Sequence, residues 1–412
     1  MKKPVKIFLI IFASLFALIF LVIAGTAFVF RNEISVYSSI RQLKPADRDV
    51  LQGGVYEITY KGNYYFDDFI KMGGAKNDAE LTNFFSKKIT KGLIKMNVTS
   101  GTFGCSAFTA KTKAGQKLLA RNYDYPATNT CIVKVKGNKK RHASISTVDL
   151  SFLGIPYKKD MDSFVTKIFS LTAVYIPLDG INDAGVSCGV LESGQGPGTG
   201  SIPTNQNTDK PDISTGPFIR MILDYADSLE EAVEFAKMYD MHDSGKASYH
   251  FIIADKTGRS AILEWVNSLD KDDFFGQKRE LVITYNDSDS DIGVRESASD
   301  FQWITNFIIK PGYYEGTEEK YITGKDRYDI IYEKLSQTNG FVQDEMQAMD
   351  ILCSVAQRTI DPNRPQFNTH LTVHSAIYNL DELSLLWCPA EQFQNVQGML
   401  KYQIKNGKII EQ

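Results

Sequence analysis

From Ile7 to Phe30 the chain carries no charge, running "IFLIIFASLFALIFLVIAGTAFVF" directly after Lys2, Lys3 and Lys6. About twenty apolar residues suffice to cross a bilayer as a helix, so this stretch either spans a membrane or is removed. The apolar part of a secretory signal is shorter, about 7 to 15 residues, and ends at a small-residue cleavage site. "AGTA" at 24–27 is a poor match to such a site, and the expected element is a retained anchor over residues 1–30. Because the lysines precede the span, the amino end is expected in the cytoplasm and the remaining chain outside. Removal of the segment would instead leave a secreted protein.

The 412 residues are 43% hydrophobic and 12% aromatic, enough to bury a large core. Lys and Arg number 46 and Asp and Glu 49, a formal net charge of -3 spread along the chain. That balance carries no electrostatic footprint for nucleic acid. The five cysteines, Cys105, Cys131, Cys188, Cys353 and Cys388, are odd in number and show no CxxC spacing, which speaks against a disulfide framework. On an oxidising side of a membrane at least one thiol stays free, and it either lies buried or does chemistry.

Beyond the anchor, residues 31–104 read as structured. "VYEITYKGNYYF" at 55–66 alternates like two strands about a Lys-Gly turn, and 78–97 places Leu81, Phe84, Phe85, Ile89, Leu93 and Met96 near one helical face. From Cys105 onward hairpins dominate: 105–112 with 116–125 about "KAG", 248–265 about Asp-Lys-Thr-Gly, and 369–388. Helices are expected over 218–240, broken where Ser228 can cap a second one, and over 325–337; 194–217 is a Gly/Pro-rich loop. Hairpins interspersed with paired helices predict sheets covered by helices, a layered α+β domain.

Paired positions in a hairpin have a constant sum, so the turn at 113–115 brings Cys105 to one end of a sheet with Arg121 and Asp124. A cation beside a thiol favours the thiolate, the nucleophilic form. Spacing alone leaves open a second reading, a small buried cysteine beside a solvated ion pair.

"CSAFTAKTKAGQKLLARNYDY" resembles the start of the mature chain in the choloylglycine hydrolase group of N-terminal-nucleophile (Ntn) cysteine hydrolases, which includes bile salt hydrolases, penicillin V acylases and acid ceramidase. The family's GRNxD stretch is matched by Arg121, Asn122 and Asp124; "DGINDAGVSCGV" resembles its DGxNExGL stretch. "HFIIADKTGRSAILEW" and "KDRYDIIYEKL" follow in the family's order, the latter carrying Arg327. The resemblance implies a four-layer αββα sandwich over 105–412, preceded by the transmembrane helix and a pro-segment over 31–104. It implies self-cleavage between Gly104 and Cys105, which gives Cys105 a free α-amine to act as base for its own thiol. Gly104 has no side chain to obstruct that attack.

By resemblance Asp124 holds the amine, Arg121 sits beside the thiol and Arg327 supports the group. The family's VxTN asparagine, an oxyanion donor, maps onto Asn286 of Thr284-Tyr285-Asn286, one residue displaced, so a bulge or a shifted register is required there. Glu192 stands where several members have the asparagine of GLNF, and its backbone N–H is a further oxyanion candidate. The implied activity is hydrolysis of linear, non-peptide amides, small N-acyl amides such as conjugated bile acids, N-acyl lipids or penicillin V-like compounds, without metal or cofactor. An acyltransferase using the same acyl-enzyme, or an uncut membrane-tethered binding module, are the alternatives. "NDSDSD" at 286–291 lacks the Gly and Glu of a calcium loop, and His370 and His374 lie on a strand pattern without the zincin Glu. Neither predicts a metal site.

Overall fold

The computed structural model describes residues 3–49, 51–96, 104–194, 204, 206, 208–266, 279–287, 301–314, 318–319, 322–357, 371–393 and 395–412. The apolar run is one helix, α1 (Lys3–Val29), long enough to cross a membrane and not buried against the rest of the protein. Helical bonds from Phe30 N–H to Thr26 O and from Ile34 N–H to Phe30 O carry it into α2 (Arg31–Tyr37).

Next come β1 (Arg41–Lys44), β2 (Val55–Tyr60), α3 (Phe66–Lys71) and α4 (Asp78–Lys88). The strand pair expected in 55–66 is thus only half present. The Asn63 side chain accepts the Tyr65 N–H at 2.7 Å, Tyr65 takes a left-handed φ of 66°, and the chain turns into α3 instead of returning as a strand. Helix α4 starts on its Asn77 cap but stops at Lys88, well short of residue 97. The Thr90 hydroxyl bonds the Ser86 and Ile94 carbonyls and closes that end.

The following elements are β3 (Gly104–Thr112), β4 (Lys117–Tyr125), β5 (Thr130–Val135), β6 (Ser144–Asp149), α5 (Phe164–Ser170), β7 (Asp179–Asn182) and β8 (Val186–Glu192). A short β9 (Asp212–Ser214) precedes α6 (Thr215–Tyr225), α7 (Leu229–Met238) and β10 (Asp240–His242). Ser228 caps α7 by accepting the Glu231 N–H, as its position predicts. Then come β11 (Tyr249–Asp255), β12 (Ser260–Val266), β13 (Glu280–Tyr285), β14 (Trp303–Ile304), α8 (Lys325–Ser336), β15 (Phe341–Val342) and α9 (Glu345–Ser354). The chain closes with β16 (Leu371–Asn379), β17 (Ser384–Pro389), β18 (Leu400–Lys405) and β19 (Lys408–Glu411).

Among the described residues two large sheets form, a mixed α+β architecture. One runs β1-β2-β5-β6-β7-β8-β11-β12-β13; the other runs β14-β3-β4-β16-β17-β18-β19, with β15 also on β3. Strands β3 and β4 face β8 across the two sheets, α6 and α7 cover the first sheet, and α8 and α9 cover the second. The period of two along a strand decides what each side chain meets. Cys105, Ala107, Leu119 and Tyr123 join the core between the sheets, whereas Phe108, Ala110, Leu118 and Ala120 pack with Ile331, Leu335 and Leu352 of α8 and α9.

Candidate active site

The β3–β4 hairpin pairs Gly104 with Asp124, Cys105 with Tyr123 and Ala107 with Arg121, the register expected from the turn position. Strand parity then separates what spacing alone placed together. Arg121 shares the inter-sheet face with the thiol, and its Nη2 donates to Cys105 Sγ at 3.1 Å. Asp124 belongs to the other parity, where Arg327 of α8 reaches its Oδ2 at 3.4 Å and Thr372 donates to its Oδ1 at 2.7 Å.

Arg121 is almost fully buried and cannot wander. Its Nη1 meets Asp179 Oδ2 at 2.5 Å, and Nη2 and Nε donate to the Val190 carbonyl at 2.7 and 3.1 Å. A buried ion pair is stable only when its remaining polar atoms are satisfied. Thr147 donates to Asp179 Oδ1 at 2.6 Å, and Tyr378 donates to the same oxygen. Burial alone would raise the Asp179 carboxyl, but Arg121, then His374 and Thr147, hold it well below the ordinary carboxylate range. Gly189 makes room for the guanidinium, since a Cβ there would lie 2.9 Å from Arg121 Cδ.

Arg327 binds the backbone around the thiol: Nη1 donates to the Cys105 carbonyl at 2.5 Å and to Ser106 Oγ at 2.7 Å. Its Nη2 donates to Asn306 Oδ1 at 2.6 Å, an oxygen that also accepts the Cys105 N–H at 2.9 Å. Asn306 Nδ2 donates to the Glu192 carbonyl at 2.8 Å, so the amide orientation is set by its partners. Burial raises the Cys105 thiol to about 12 in the uncut chain; Arg121 opposes the rise, Asp124 adds to it and Arg327 opposes it again. A Cβ on Gly104 would lie 3.2 Å from Asp124 Cβ, closer than most real contacts.

Of the residues singled out in the sequence, Cys105, Arg121, Asp124 and Arg327 converge, Gly104 adjoins them, and Glu192 reaches the group through its carbonyl. Asn286 does not. Strands β12 and β13 pair without the register shift it required, from Val266↔Glu280 to Ala261↔Tyr285. Its Oδ1 accepts the Ser260 N–H and its Nδ2 donates to the Gly258 carbonyl, so it ties down the β11–β12 turn. Asn306 stands at the Cys105 backbone N–H instead. Its signal was present, since Thr305-Asn306 directly follows the strand Trp303–Ile304 and gives the TN step without displacement. Asp179 lay within the quoted DGIN stretch without a role assigned to it.

His370 and most of "NDSDSD" lie outside the described residues. His374 is buried next to Asp179, and burial lowers its imidazole toward the neutral form. Among the described residues one group could hold a metal ion, Asp212, Asp240 and His242, whose ligand atoms lie within 4.8 Å of one another. It shares no residue with the group around Cys105.

Among curated proteins no sequence matches this chain. Similar solved structures include a mutant conjugated bile acid hydrolase from Clostridium perfringens, with 14% identity, 75% of this chain and 96% of that chain covered, and a TM-score of 0.48. A second variant of that hydrolase has 15% identity, the same coverages and a TM-score of 0.49. Penicillin V acylase from Agrobacterium tumefaciens has 17% identity over 69% of this chain and 83% of its own, with a TM-score of 0.41. A family model matches residues 105–278, starting at Cys105 itself and ending before Asn306 and Arg327. Over those residues the chain matches the model of the linear amide C-N hydrolases, choloylglycine hydrolase family.

Proposed function

We propose that this protein hydrolyses small N-acyl amides through Cys105, made amino-terminal by cleavage of its own Gly104–Cys105 bond. The observation that carries the reading is the 3.1 Å contact between Cys105 Sγ and an Arg121 guanidinium that Asp179 holds in place. In this reading residues 1–30 form the anchor, 31–104 the pro-segment and 105–412 an αββα Ntn-hydrolase domain.

Self-processing begins with attack of the thiol on the Gly104 carbonyl. The amide nitrogen leaves as the Cys105 amine, and water opens the resulting thioester to release the Gly104 carboxylate. During turnover the thiol gives its proton to that α-amine, and sulfur bonds to the acyl carbon of the substrate. The tetrahedral intermediate collapses as the substrate amine departs with the proton, and water then adds to the thioester and releases the acid and the thiol. Asn306 Oδ1 and Asp124 orient the amine, while Arg121 favours the thiolate. An amide NH2 has two donors, and Asn306 commits one to the Glu192 carbonyl. The other is the oxyanion donor in this reading, worth about 3 to 4 kcal/mol of the barrier.

Conjugated bile acids, penicillin V-like amides and N-acyl lipids are the substrate classes to try. The anchor α1 crosses the membrane with the basic amino end inside and the catalytic body outside. The test is full-length protein in detergent micelles, assayed on a panel of such amides and sequenced from its ends. A second amino terminus beginning at Cys105 and a loss of turnover of about 10³-fold or more in Cys105→Ala are expected. A single uncut chain, or full turnover in Cys105→Ala, overturns the reading.

A further inference from the structure

Where α1 gives way to α2, the body of the protein carries an apolar groove of about 480 Å³. Three stretches distant in sequence build it: Phe30 and Ile34, Ile89 and Leu93, and Phe164 and Ile168. Thr26, in the last turn of α1, lines it as well. Several of these side chains are unusually open to solvent, Leu93 at 77%, Phe164 at 63% and Ile34 at 48%, with Val165 beside them at 45%. Contiguous exposed apolar surface of this kind marks an interaction site.

The surroundings indicate the occupant. Glu33, the acid among the lining residues, is neutralised by Lys91 at 2.9 Å. Arg31 and Lys95 are exposed in the same segments, and Lys167 lies 5.6 Å from the Tyr37 ring centroid. An apolar floor with a cationic, aromatic rim is the composition of a membrane-interface surface. Position agrees with composition, because α1 is longer than the roughly twenty residues a bilayer core requires and its final turn forms one wall. With α1 spanning the bilayer, a groove at its last turn would sit at the lipid interface.

We propose that an acyl chain of an outer-leaflet phospholipid fills this groove, its phosphate facing Arg31, Lys95 and Lys167, so that the catalytic body rests on the bilayer. The inference rests on α1 being a retained membrane anchor and does not depend on the amidase chemistry.

The test uses the full chain in nanodiscs of phospholipid with brominated acyl chains, which quench tryptophan on contact. Trp265, Trp303 and Trp387 are buried and supply a constant background. Tryptophan is added singly by Phe16→Trp in α1, by Leu93→Trp in the groove and by Phe341→Trp on β15, an exposed position outside it. Quenching of the added emission in Phe16→Trp and Leu93→Trp, but not in Phe341→Trp, is expected. Quenching in Phe16→Trp without quenching in Leu93→Trp overturns lipid occupancy and leaves the anchor standing; a dimeric mass of the nanodisc-held chain would then assign the groove to a second copy. Quenching at neither position overturns the anchor together with the docking, and equal quenching at Phe341→Trp removes the specificity the proposal requires.

Discussion

Because burial raises the Cys105 thiol to about 12, the uncut chain holds it protonated throughout the neutral range. A group whose pKa is raised loses its proton only as the pH approaches the raised value, so thiolate is scarce at pH 7 to 8 despite the nearby guanidinium. The proposed cleavage would supply a base of pKa about 7.7 to 8.0 on the same residue. A Gly104→Val variant that blocks cleavage should therefore resist iodoacetamide at Cys105 at pH 8, whereas the processed protein should alkylate readily; peptide mapping by mass spectrometry distinguishes the two. Asparagines 306 and 286 separate site from scaffold. Asn306→Ala should lower kcat by about 10² to 10³, whereas Asn286→Ala should leave kcat unchanged and cost about 1 to 3 kcal/mol of stability through its lost turn bonds, read from denaturant melts. Cys105, Arg121, Asp124 and Arg327 were legible because a hairpin and a short motif are local features. Asn306 was passed over because a two-residue step is weak evidence until the fold brings it within 2.9 Å of Cys105 N.

Strands and helices differ in how much of their pairing is written locally. The hairpins β3–β4, β11–β12 and β16–β17 each carry a turn in the sequence and form as read. The parallel pairing of β2 with β5, Val55↔Thr130 through Tyr60↔Val135, leaves no such mark, because a parallel pair needs no connecting turn. That ladder ties residues 31–96 to the body. It is reinforced by Phe66, Phe69, Phe84 and Phe85, which surround the Tyr175 ring at centroid distances of 4.8 to 6.1 Å. Each buried aromatic contributes about 1.5 to 3 kcal/mol, so the severed segment is expected to remain bound. After cleavage both pieces should elute together from a sizing column in detergent and separate only in denaturant, with gel analysis of the fractions as the check.

At the scale of the whole molecule, two sheets stacked between helical layers bring β8 over β3 and β4, and Arg121 of the second sheet is clamped by Asp179 and Val190 of the first. The layers were legible from hairpins and paired helices; which sheet faces which is a long-range outcome that no local pattern records. The same stacking makes the segment after α1 an integral part of the architecture, since β1 and β2 end the first sheet next to β5. On the cleavage proposed above, tether and nucleophile come to lie on separate polypeptides held together without a covalent link. Shedding the catalytic piece would then strip two strands from the sheet and leave the backbone of β5 as a raw edge, a template for aggregation. On that reading a long piece set free alone should clump and lose its solubility, the short piece serving as its lasting chaperone.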